Sequence, residues 1–211
     1  MSKKLKATLF VVSILLIDQI TKILVKTNML IGDVGSIKIF EWFQIYFIEN
    51  PGMAFGMTIG SKLLLTSFRI ILIGVIIYYL IQLLKKDYKL SYIICLSTIL
   101  AGAIGNVIDC LFYGIIFTES TPFQVAEFTL TNGYAPFFQG KVVDMLYFPL
   151  FEFPDWMPLL GGEIFFSPIF NIADSAITIG MVVLILFFRK DFEQTFDFNN
   201  KKNKSTEQSA E

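Results

Sequence analysis

FNIADSAITIGMVVLILFF, residues 170–188, is the stretch that decides the fold. Past its first five residues it is almost wholly apolar. A helix of roughly 20 such residues crosses the hydrocarbon core of a bilayer. Yet Asp174 stands inside the run, with Asn171 three residues before it. A carboxylate is costly in lipid, so an acid in such a helix marks a functional site with a partner close by. The stretch calls for a membrane fold and for a polar site within it.

Working outward, three more segments are long and apolar enough to cross: about 7–26, 63–84 and 90–113, with the last span placed at 167–188. Of the 211 residues 55% are hydrophobic, and the mean hydropathy is +0.65. The expected fold is membrane α-helical, with four transmembrane helices. A formal net charge of −1 argues against nucleic acid as a partner. The first segment, MSKKLKATLFVVSILLIDQITK, starts like a secretory signal. No small-residue cleavage site follows its apolar centre, and Asp18 interrupts it, so an uncleaved helix is expected.

The cationic residues set an orientation. Lys3, Lys4 and Lys6 precede the first span, and Lys85, Lys86 and Lys89 crowd the turn between the second and third. Arg189, Lys190, Lys201, Lys202 and Lys204 follow the fourth. The positive-inside rule then puts both termini in the cytoplasm and the two long loops, about 27–62 and 114–166, outside. In the first loop IKIFEWFQIYFIEN alternates as strands do. The second is dense in Phe, Tyr, Trp and Pro, which suits a lid on the membrane, an interfacial platform, or a folded cap with its own small core. A small β-rich, aromatic extracytoplasmic portion is therefore expected on a single membrane domain, residues 1–190. Residues 191–211 read as a polar cytoplasmic tail, disordered after Phe192.

The chain has no histidine, which removes Ser-His-Asp and Cys-His nucleophiles and His-ligated zinc. Its two cysteines, Cys95 and Cys110, lie in one apolar run. Fifteen residues of helix separate them by about 22 Å, too far for a disulfide. Both read as packing residues.

What remains for chemistry is carboxylates and amides. Asp18 and Lys22 lie one turn apart on the first span, the spacing of an ion pair within a helix. AGAIGNVIDC on the third span has Gly102 and Gly105, which admit a close neighbour, and then Asn106 and Asp109 near its outer end. The fourth span repeats Asn-x-x-Asp with Asn171 and Asp174, running the other way and at the same depth. Asp144 lies in GKVVDML, a short strand or membrane-edge turn, where a lone aspartate is ordinarily a cap. In ENPGMAFGM, Asn50, Gly52 and Gly56 mark either an ordinary turn or an amide placed to hold a peptide main chain.

DQITK, ENPGMAFG, GAIGNVID, GKVVDML and FNIADSAITIG, in this order, resemble the motifs of the lipoprotein signal peptidases, or signal peptidase II. The resemblance runs from about residue 14 to 188. It implies an aspartic endopeptidase of the bacterial inner membrane, with no metal or other cofactor. Such an enzyme cleaves signal peptides from prolipoproteins just before the diacylglyceryl-modified cysteine. Carried onto this chain, it implies Asp144 and Asp174 as the catalytic pair. Asp18, Lys22, Asn50, Asn106, Asp109 and Asn171 fall at the positions that shape or support the site. The implied partners are lipidated prolipoproteins and membrane lipids, and the chain is expected to work as a monomer.

There are departures from the family pattern. Cys110 stands where the family usually has arginine, and Arg69 on the second span is the residue expected to supply that charge. Pro51 and Met53 replace smaller or polar residues, and the second loop carries extra length before Lys141 and before Pro168. Three rivals to the peptidase stay open on the residues alone. A proton- or cation-coupled transporter uses intramembrane carboxylates. A metal-dependent lipid-modifying enzyme uses aspartates as ligands for a hard cation. A non-enzymatic assembly factor needs none of them for chemistry.

Overall fold

The computed structural model describes residues 1–52, 62–159 and 161–195. Met53 and Gly56 of the ENPGMAFG motif, and residues 196–211 with Lys201, Lys202 and Lys204, lie outside the described residues. Four apolar helices carry the fold: α1 (Lys3–Asn28), α2 (Lys62–Lys85), α3 (Leu90–Ile116) and α4 (Ile172–Phe187). The first three are each long and apolar enough to cross a membrane. The fourth reaches that standard together with α5 (Arg189–Thr195), bent from it by 83°. The protein is a membrane α-helical fold with a small antiparallel sheet at one end.

The helix α3 is the centre. In its most apolar stretch 56% of residues are buried, against 17% in α1 and 11% in α2. It packs against α1, α2 and α4. Gly102 and Gly105 are what let α4 approach: a Cβ on Gly102 would lie 2.2 Å from the Ala173 carbonyl oxygen. One on Gly105 would lie 2.7 Å from Asp18 Oδ2 and 3.1 Å from Ala173 Cβ. Leu83, Tyr92, Ile93, Leu96 and Leu100 form the helical core away from the sheet. At that end Thr195 bonds the Tyr79 hydroxyl, and Asp191 accepts from Lys89 and Tyr88, each at 2.9 Å. Residues 191–195, the start of the expected polar tail, dock on the bundle through these contacts.

The sheet runs β1 (Ile37–Phe40), β2 (Phe43–Asn50), β3 (Val142–Tyr147) and β6 (Ile169–Phe170), in the order β1-β2-β3-β6. A separate hairpin pairs β4 (Phe151–Glu152) with β5 (Ile164–Phe165). The alternating stretch of the first loop is thus β1 and β2. Phe47, Val143 and Met145 bury under the sheet against Tyr113 and Phe117 of the third helix and its exit.

Two local departures from the sequence reading matter for the site. The last span begins at Ile172, not 167, because Ile169 and Phe170 pair with β3 and Pro168 lacks the N–H a helix would use. Within α3, Asp109–Tyr113 form a π-helical turn, an insertion in the helical repeat that hydropathy does not register.

Candidate active site

The site lies where the N-terminus of α4 meets β3 and the sheet ends of α1 and α3. Asn171 is the N-cap of α4, and its Oδ1 accepts the Asp174 N–H at 2.8 Å. Asp174 Oδ2 in turn accepts the Asn171 N–H at 3.2 Å. The Asn-x-x-Asp spacing here is therefore a capping box, which satisfies two N–H groups a helix leaves open. The aspartate occupies the first turn, part-exposed, and not the interior of a span. Asp18 adds to this end: its Oδ1 accepts the Ala173 N–H at 2.9 Å, a carboxylate placed at the positive pole of α4.

Asn171 also joins the two acids set apart by the sequence. Its Nδ2 donates to Asp144 Oδ1 at 2.6 Å, and lies 3.1 Å from Asn106 Oδ1 and 3.3 Å from the Val143 carbonyl oxygen. Asn106 Nδ2 donates to Asp174 Oδ1 at 2.7 Å. Asp144 is 2% exposed and lies opposite Ile48 in the β2–β3 register. Burial, and then the charge of Asp174, push its carboxyl up to about 7 from an ordinary 3.8. Hydrogen bonds from Asn50 and Asn171 and the charge of Lys22 pull the other way.

Below this pair is a buried ionic layer. Lys22 Nζ meets Asp18 Oδ2 at 3.0 Å and Asp109 Oδ2 at 2.9 Å, and donates to Asn106 Oδ1 at 2.9 Å. The Asp18–Lys22 pair expected within one helix is present, and Lys22 also bridges from α1 to Asp109 on α3. Asp109 Oδ2 also accepts the Val143 N–H at 3.2 Å, one residue before Asp144. Asn106 and Asp109, alike in spacing to Asn171 and Asp174, divide their tasks: the amide faces Asp174 and the acid faces the lysine.

Some of the machinery escaped the sequence reading. Gln19 donates to Asp18, to Asp109 and to the Gly105 carbonyl oxygen. One turn beyond Lys22, the fully buried Lys26 pairs with Glu49 and donates to Ser120 Oγ at 2.9 Å. Lys141 Nζ reaches Glu49 Oε2 at 3.1 Å. Burial alone would raise the Glu49 carboxyl, but Lys26 and Lys141 outweigh it and hold the group low. A polar residue recurring at one-turn steps, 18, 22 and 26, was the available signal. Arg69 Nη1 sits 3.4 Å from Cys110 Sγ, so α2 does bring a guanidinium to that position. Cys95 and Cys110 are free thiols, both buried.

The family model for signal peptidase (SPase) II matches residues 10–190. The lipoprotein signal peptidase of Porphyromonas gingivalis is 46% identical over 207 residues, 95% of this chain and 90% of that protein. That of Amoebophilus asiaticus is 38% identical over 186 residues, covering 84% of this chain and 75% of the relative. A solved bacterial membrane enzyme superposes with a TM-score of 0.57 at 30% identity, over 88% of this chain and 94% of that one. Fold and matches define a multi-pass bacterial membrane protease. The chain belongs to the signal peptidase II family.

Proposed function

We propose that the protein is an aspartic endopeptidase that removes the signal peptide from bacterial prolipoproteins, cutting before the diacylglyceryl-modified cysteine, with Asp144 and Asp174 as its catalytic pair. The observation that carries the reading is the shared asparagine: the Asn171 side chain holds Asp144 at 2.6 Å while its main chain holds Asp174 at 3.2 Å. Two carboxyls brought together this way can divide the roles of proton donor and general base. Burial favours Asp144 as the proton holder.

In the first step Asp174 takes a proton from a water, whose oxygen attacks the scissile carbonyl carbon. Asp144 gives its proton to the carbonyl oxygen, forming a neutral tetrahedral diol. The diol then collapses: Asp144 recovers a hydroxyl proton, Asp174 passes its proton to the cysteine nitrogen, and the peptide bond breaks. Asn106 and Asn171 orient the pair, and Asn50 takes the supporting role of holding the substrate main chain. Asp18, Lys22 and Asp109 set the position of α4 against β3. The mechanism calls for no cofactor and for one copy of the chain. The single domain is residues 1–190 in the bacterial inner membrane, with termini cytoplasmic and the sheet end outside, as the lysine distribution argues.

The test is incubation of a lipidated prolipoprotein with purified wild-type, Asp144→Asn and Asp174→Asn proteins. Neither variant should release signal peptide, while both remain folded. Turnover by either one refutes the assignment. Full activity in EDTA separates the reading from a metal-dependent enzyme, and a liposome flux assay separates it from a carboxylate-based transporter.

A further inference from the structure

The segment between β3 and β6 carries a β4–β5 hairpin that the reaction leaves unused. Its rings make a small core of their own: Phe151 stacks on Phe165 at 4.7 Å, with Phe153 edge-on to both at 5.3 and 5.9 Å. Its main chain is tied within itself, Phe153 N–H to the Glu163 carbonyl at 2.9 Å and Gly162 N–H to the Phe153 carbonyl at 3.0 Å. Beyond that core the tip turns apolar groups outward. Trp156 is 77% exposed and Leu159 is 100% exposed, and Leu159 holds a φ of 70°, a conformation that branched side chains rarely adopt. Nothing among the described residues covers either side chain.

We infer that this hairpin is an interfacial anchor, seated in the headgroup layer of the leaflet next to the sheet. Three observations select lipid as the occupant. The hairpin leaves from Tyr147 and returns at Ile169, the latter three residues from the start of α4, so it is tethered where a membrane helix emerges. Its tip exposes apolar side chains as the membrane helices do, Phe68 and Ile71 of α2 among them. Its paired main chain suits a region where open N–H and C=O groups are costly. Charge then fixes depth and lipid type. From Phe148 to Pro168 there are three carboxylates, Glu152, Asp155 and Glu163, and no Lys or Arg. Acids at this density hold the hairpin at headgroup level, the layer that Trp prefers, and oppose an anionic surface. The preferred partner is a zwitterionic lipid.

The anchor is coupled to the site through rings and strands. Phe148 stacks on Phe170 at 5.7 Å, immediately before the N-cap Asn171, and β3 and β6 pair directly. If Asp144 and Asp174 are the catalytic pair, which this second step assumes, the hairpin sets their depth in the bilayer.

The chain has two tryptophans, Trp42 and Trp156, so Trp42→Phe leaves Trp156 as the sole reporter. In phosphatidylcholine vesicles, lipids brominated near the headgroup end of the chain should quench Trp156 strongly and aqueous iodide weakly. Adding Leu159→Asp should reverse that order. Comparing wild type with Trp156→Phe gives the same signal by difference, without relying on the Trp42 variant. Free access of iodide with no quenching by brominated lipid, by either route, overturns the anchor and leaves a protein partner or a solvated cap as the reading. A separate arm tests the coupling: Trp156→Ser with Leu159→Ser should slow cleavage of substrate in vesicles and spare it in detergent micelles. Equal rates in both media overturn the coupling. The quenching result is independent of which residues cleave.

Discussion

Asp174 shows at the scale of one residue how an acid is kept in an apolar run. It stands in the first turn of α4, where a carboxylate caps N–H groups and meets the positive end of the helix. Asp144 is the opposite case, a buried acid with its carboxyl near 7. The raised value fixes the sign of two pH effects. Asp144 binds its proton more tightly folded than unfolded, so its contribution to stability is full below 3.8 and is lost as pH rises through about 7. Melting temperature should fall over that window in wild type and lack this component in Asp144→Asn. Cleavage should also decline above about 7 as Asp144 loses its proton, in a rate–pH profile. Lys22 sits between two buried acids, so Lys22→Met leaves both uncompensated. It should cost about 3–5 kcal/mol, measured by denaturant unfolding in mixed micelles; a near-neutral result would remove the ionic layer from the account of stability.

At the scale of elements, two contacts set the site. The approach of α4 to α3 depends on Gly102, and Gly102→Ala forces the Ala173 carbonyl away by overpacking worth about 1–3 kcal/mol. Since Ala173 lies between Asn171 and Asp174, the variant should lose most cleavage even where it still folds, as seen by comparing turnover with melting. The other contact is Arg69 of α2 on Cys110 of α3. Arg69→Met should lower turnover with little change in melting; unchanged turnover and folding would discard a role for the guanidinium.

The sequence discloses elements unevenly, for physical reasons. Long apolar runs located α1, α2 and α3 because burial in lipid demands length. The start of α4 was misplaced because Ile169 and Phe170 are as apolar in a strand as in a helix, and only pairing with β3 tells them apart. Acids in apolar runs stood out by cost, so Asp18, Asp109 and Asp174 could be singled out. Glu49 and Ser120 did not, since their partner Lys26 is distant in sequence and loops tolerate polar groups freely.

At the scale of the whole molecule, the ends differ in charge and build, and the orientation proposed from the lysines has a direct test. Lys38→Cys, on β1, should react with an impermeant maleimide in intact spheroplasts, and Asp87→Cys, in the α2–α3 turn, only after lysis. The reverse pattern would invert the topology. One further consequence concerns α4. Its 16 residues span about 24 Å, short of a hydrocarbon core of about 30 Å, while α1 with 26 residues has length to spare. Local thinning of the bilayer is one way a membrane accommodates a helix this short. Hydrophobic mismatch of this kind draws headgroups down toward the capped end and carries water with them. Acyl chain length thereby becomes a control on the enzyme: lipids with longer tails resist that thinning, and turnover should decline as the host bilayer thickens.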